Sequence, residues 1–211
     1  MAIKRKLILI PVVIFITALL MLCSFFLYLR FADWGFGRQI PFSEQLQRLS
    51  MVHTADQWFG TVEGDANHGK ILHIYNSHKP LAQGYAVTAE DSWCASFASA
   101  IAIQKHFTDI IPTECSCERQ IGLWKEMGRW EEDDNYMPLP GDYIYYDWDA
   151  SKRNVDSTGW SDHVGIVVGT AGPFIKVIEG NKDDAVAYRI ILRGHYQIRG
   201  YGLPDYHSNI S

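Results

Sequence analysis

Cysteine is scarce in this chain, four among 211 residues, which excludes a small scaffold held together by dense disulfides. Cys23 lies in an apolar N-terminal run, leaving Cys94, Cys115 and Cys117 for the remainder. An odd number cannot pair off completely within one chain. Cys115 and Cys117 are poorly placed to bridge each other, since side chains two apart on an extended chain start about 6–7 Å apart between Cα atoms, near the limit of disulfide reach. As a metal site the C-x-C pair lacks the second CxxC or HxxxH that completes a zinc set. Two readings stay open: two small buried thiols, or one structural pair with a partner elsewhere.

Positive charge is also short. The first 30 residues hold four of the 19 Lys and Arg and none of the 24 Asp and Glu, so the rest carries 15 positive against 24 negative, a net of −9. Such a surface has no electrostatic footprint for nucleic acid and repels anionic polymers at low salt. Internal repeats and low-complexity tracts are missing as well, so one globular domain with its own core is expected.

Acidic residues are missing from the N-terminus. Lys4, Arg5 and Lys6 precede an uncharged run from Leu7 to Leu29, closed by Arg30. As a helix this run would measure about 35 Å against about 30 Å for a bilayer core, so the pattern predicts a transmembrane anchor at 7–29. The basic cluster puts residues 1–6 in the cytoplasm, 30–42 become a tether, and a domain over 43–211 is exported. A cleaved signal peptide has a shorter apolar region and small residues at its cleavage site, and lipidation of Cys23 needs a small residue where Leu22 stands.

Within the domain, Leu46, Leu49, Val52 and Trp58 recur near helical spacing, with Ser43 as the expected N-cap. A short helical piece follows around Ile71 to Tyr75, then loop. "DSWCASFASAIAIQKHF" predicts a helix buried on most sides, capped by Asp91 or Ser92, with Cys94 in its first turn. Another amphipathic helix is expected from Cys117 to about Trp130. After Gly141 the period changes: "DYIYYDW", "HVGIVVG", "PFIKVIEG", "AVAYRIIL" and "IRGYG" are β-branched and aromatic segments between turn residues. Helices first and strands second predict an α+β fold, the helices packed on an antiparallel sheet.

A thiol in the first turn of a helix feels the positive end of the helix dipole and free backbone N–H groups, both of which favour the thiolate. A nucleophile also needs a base, and the base an orienting partner. Of the eight histidines, His163 opens the strand "HVGIVVG" beside a turn. In an antiparallel pair the end of "FIKVIEGN" lies beside that start, which puts Glu179 or Asn181 next to His163; the two share a parity and so one face. Either could accept the imidazole N–H and fix its tautomer. Taken singly, Cys94 reads equally as a small buried apolar residue, His163 as a cap histidine and Glu179 as a turn carboxylate. Their order on helix, strand and strand lifts them together.

Cys94 in "SWCASF", with "PLPGDYIYYDW", "SDHVGIVV", "VIEGN" and "IRGYGLPDY" in that order, resembles the CHAP family, the cysteine- and histidine-dependent amidohydrolases and peptidases. The resemblance covers about residues 91–206, and more faintly the helices from Ser43. It implies a papain-like α+β fold shared with NlpC-type cell-wall peptidases, and cleavage of an amide bond in peptidoglycan, as an N-acetylmuramoyl-L-alanine amidase or an endopeptidase. Carried over, it implies Cys94 as nucleophile, His163 as base and then acid, Glu179 as orienting carboxylate and Asn181 as the asparagine that often completes the set.

Many members carry glutamine before the cysteine, where it can help the oxyanion hole; here Trp93 stands there, as in the "WCA" branch, and the Cys94 backbone N–H is the candidate donor. Trp93 and Trp160, the latter three residues before His163, are the expected substrate contacts. Tyr146, Trp148 and Tyr188 could line a groove or fill the core. No cofactor is required. Some members bind calcium through an acidic loop, but Asp147, Asp149 and Asp156 do not complete a calcium-loop pattern. The expected partner is peptidoglycan, reached from the cell membrane through the N-terminal helix. Two alternatives stay open: an inactive wall-binding module, and a cysteine hydrolase acting on some other exported peptide.

Overall fold

The computed structural model describes residues 2–31, 34–150 and 160–207. The chain divides into two compact units, Met1–Asp33 and Trp34–Ser211. The first holds one helix, α1 (Ala2–Phe31). The expected membrane span over 7–29 is corrected here: among the described residues no helix is long and apolar enough to cross a membrane.

The second unit is α+β. Its described helices are α2 (Phe42–Asp56), α3 (Ala66–Ser77), α4 (Cys94–Gln104) and α5 (Cys117–Glu126). One antiparallel sheet follows, built from β1 (Trp130–Glu131), β2 (Tyr143–Tyr146), β3 (His163–Ala171), β4 (Phe174–Lys182), β5 (Ala185–Leu192) and β6 (Ile198–Gly202). Its order is β1-β6-β2-β3-β4-β5, so β3 and β4 stand side by side. Gly35, in the expected tether, pairs with Thr170 of β3 through both backbone hydrogen bonds.

Local chemistry sets the helix ends. α2 begins at Phe42 rather than after Ser43, because the Pro41 carbonyl already accepts from Gln45 N (3.0 Å). α3 starts well before Ile71, where the Asp65 carboxylate accepts from the N–H groups of Asn67 and His68. α5 is capped by Ser116 and stops short of Trp130, which is taken into β1 to pair with β6.

α4 is the centre of the core. Every residue from Cys94 to Ala102 is buried, as expected of a helix apolar on all sides. It lies directly against β4: a Cβ at Gly180 would come within 2.4 Å of Phe97 Cβ, so glycine at 180 permits this close approach. On β2, Tyr143 and Tyr145 join the helix-side core while Ile144 and Tyr146 join a second cluster, the alternation of a sheet buried on both faces.

The "PGD" turn is fastened from both ends of the domain. Asp142 accepts from Leu139 N (2.8 Å) and from Arg48 Nη1 of α2 (2.7 Å). The Arg48 guanidinium stands 4.7 Å over the Tyr206 ring, and the Tyr206 hydroxyl donates to Gly141 O (2.9 Å).

Candidate active site

Cys94 is the first residue of α4, and its helix start differs from those of α3 and α5. The N-cap position is Trp93, with no side chain accepting from the first turn. Asp91, an expected cap, is engaged one turn earlier, accepting from Thr88 N (2.8 Å), Thr88 Oγ1 (2.9 Å) and Tyr85 Oη (2.8 Å). The opening N–H groups of α4 have no partner within the helix, and the Ala95 N–H supports the Cys94 thiolate.

His163 opens β3 opposite Tyr146. Its Nε2 lies 3.1 Å from Glu179 Oε2 on β4, and Cys94 is the other group that raises its basicity. Glu179 is fully buried and accepts from Arg189 Nε of β5 with both oxygens (2.7 and 2.9 Å). The structure therefore brings Cys94, His163 and Glu179 into one chain of contacts and extends it to Arg189. Tyr146 and Trp148, stacked on each other at 4.6 Å, lie beside the imidazole with ring centroids at 5.9 and 5.8 Å.

The electrostatics follow from these contacts. The hydrogen bond from Cys117 is the largest influence on Cys94; with His163 it outweighs burial and holds the thiol well below its usual range. Burial alone would lower His163, but hydrogen bonds to Cys94 and Glu179 and their negative charge raise it to about 9. Glu179 is held down against burial by His163 and Arg189. These directions favour a thiolate beside an imidazolium.

Asn181 is placed differently. It has φ +55 and lies where the β4–β5 register shifts between Glu179 and Lys182; the parity that groups it with Glu179 holds only for regular strand. Trp93 is fully buried, donates Nε1–H to Glu63 Oε2 (3.0 Å) and packs on His68 at 4.6 Å, so it is a core residue closed to substrate. Trp160 is 71% exposed. Two residues on, the Asp162 carbonyl stands 4.0 Å from Cys94 Sγ, and Cys94 itself is only 4% exposed.

Three residues belong to the site that the sequence does not assign to it. Cys117 Sγ stands 3.6 Å from Cys94 Sγ. Arg189 is a charge within a β-branched strand, and such a charge is worth pairing with a buried carboxylate on the neighbouring strand. Gly165 lies under Glu179: a Cβ there would meet Val177 Cγ1 at 2.4 Å and Glu179 Cγ at 2.7 Å. Gly165→Ala is expected to displace the Glu179 carboxylate and to destabilise the fold by about 1–3 kcal/mol. Thermal unfolding and turnover measured together check this; wild-type values in both would refute the tight fit.

The C-x-C residues face apart, Cys117 toward Cys94 and Cys115 toward Glu114 Oε1 (3.5 Å). Among the described residues no group of three or more His, Cys, Asp or Glu could hold a metal ion. Asp156 of the acidic loop lies outside the described residues. A cleft of about 320 Å³ lined by Trp148, Arg189, Leu192, His195 and Gln197, among others, shares Trp148 and Arg189 with the site but is lined by neither Cys94 nor His163.

Comparison of the chain with protein-family models, curated proteins and solved structures finds no match.

Proposed function

We propose that the domain is a cysteine amidohydrolase of the CHAP kind that cleaves an amide bond of peptidoglycan outside the cytoplasm. The observation that carries the chemistry is the run of contacts from Cys94 through His163 to Glu179, at a helix start that no side chain caps. The substrate class rests on the resemblance of the motifs. The Cys94 thiolate attacks the amide carbonyl and the oxyanion forms near the free N–H groups of α4. His163 then gives its proton to the leaving amine. Water, deprotonated by the same imidazole, releases the acyl group and restores the thiolate. Glu179, anchored by Arg189, keeps the imidazole oriented and favours its charged form.

The test is digestion of purified peptidoglycan by the reduced protein, with new termini identified by mass spectrometry. Alanine N-termini freed from muramic acid would define an amidase, and cuts within the stem or bridge an endopeptidase. Digestion of other exported peptides but of no wall preparation would move the substrate elsewhere. Trp160→Ala is expected to raise KM about 3- to 10-fold with kcat nearly unchanged, the mark of lost uniform binding. An unchanged KM would remove Trp160 from the substrate path.

A further inference from the structure

The mechanism leaves one group at the nucleophile without a chemical task. Cys117 is the first residue of α5, as Cys94 is of α4, so two helix starts converge on two sulfurs 3.6 Å apart. Both cysteines are buried, at 4% and 6% exposure. A disulfide needs about 2.05 Å between sulfurs, so they must close by about 1.5 Å. The Sγ–Sγ line is already a hydrogen bond, with no side chain between the sulfurs.

The geometry points to Cys94 and Cys117 as a reversible oxidation site, in which a peroxide converts the nucleophile to a disulfide with Cys117 and a thiol reductant releases it. The Cys94 thiolate attacks one peroxide oxygen, the O–O bond breaks, and Cys94 becomes the sulfenic acid as hydroxide leaves. Cys117 then attacks the Cys94 sulfur, the S–S bond forms, and the sulfenic oxygen leaves as water with the Cys117 proton. Two thiols are oxidised and one peroxide is reduced to two waters. A reducing thiol reverses this by exchange and is itself oxidised.

The local electrostatics suit both steps. Cys94 is the acidic thiol of the pair, and the thiolate is the form that attacks peroxide. Cys117 is held high first by its hydrogen bond to Cys94, with burial and the Cys94 charge adding to it. Conversion of Cys94 to the neutral sulfenic acid removes that charge, so Cys117 becomes easier to ionise when it is needed. Cys115 is no substitute, since its sulfur faces Glu114 and Gln83.

The disulfide chemistry depends on the thiols alone; that it switches off turnover rests on the reading of Cys94 as the nucleophile. The experiment exposes the full-length protein to stoichiometric hydrogen peroxide, blocks remaining thiols by alkylation and maps peptides by mass spectrometry. The expected product joins the Cys94 and Cys117 peptides with loss of two hydrogens, and dithiothreitol restores both thiols. In Cys117→Ser, and in Cys117→Ala as a second variant with folding checked by circular dichroism, Cys94 should instead pass to the sulfinic acid at least about ten times faster than in the wild type. Equal rates of sulfinic acid formation, a bridge through Cys115, or an unreacted Cys94 would each overturn the proposal. Because peptide mass is the readout, a protein that digests no peptidoglycan can still form the bridge, and the two ideas fail separately.

Discussion

Cys94→Ala should lower turnover of purified peptidoglycan by at least about 10⁴-fold and leave the fold almost untouched. In the proposed mechanism the Cys94 thiolate bonds to the carbonyl, and Cys117, the neighbouring sulfur, is displaced from that point: it opens α5 rather than α4 and stands 3.6 Å from the Cys94 sulfur. Alanine is at home in the first turn of a buried helix and removes a single heavy atom, a cost of about 1 kcal/mol. Circular dichroism and thermal unfolding check the fold. Residual turnover within tenfold of wild type would place the nucleophile elsewhere.

The second large effect is expected at Glu179. Glu179→Gln keeps the shape but removes the charge that His163 and Arg189 both face. Turnover should fall by about 10²- to 10⁴-fold, and stability by about 1–3 kcal/mol, since Arg189 is left without its carboxylate. The pH dependence gives the sharper test. Below 6.5 the imidazole is protonated in folded and unfolded chains alike, and the stabilisation it gains from its partners is whole. Between 6.5 and about 9 the folded protein holds a proton that the unfolded chain has released, so this stabilisation is lost as pH rises. The alkaline limb of the rate profile should likewise lie near 9 in the wild type and move toward the ordinary imidazole value in Glu179→Gln. An unmoved limb would mean that Glu179 does not set the protonation of His163.

Much of this site could be read along the chain, because its logic is local or one strand away. The pairing of His163 with Glu179 follows from antiparallel strands and a period of two. The same arithmetic fails for Asn181, where a left-handed residue at a register shift ends the alternation. A cap before Cys94 was a reasonable expectation from Asp91 and Ser92, yet Asp91 is spent on the Thr88 turn. Cys117 could not have been placed, since it meets Cys94 only when two helix starts separated by a loop converge. Trp93 showed only its type; burial against His68 and Glu63 makes it part of the core. The N-terminal run predicts a span over 7–29, but among the described residues no helix is long and apolar enough for one.

The fastening of the "PGD" turn reaches beyond local order. Arg48 arrives from the first helix of this unit and Tyr206 from its closing residues, and they meet on Asp142 and Gly141 in the middle. Beginning and end are thus clasped to one another through a third point that leads straight into β2, the neighbour of the strand carrying His163. Tension applied at either extremity would load the same buckle. The helices and the sheet are in this sense clasped at one point as well as packed along a face.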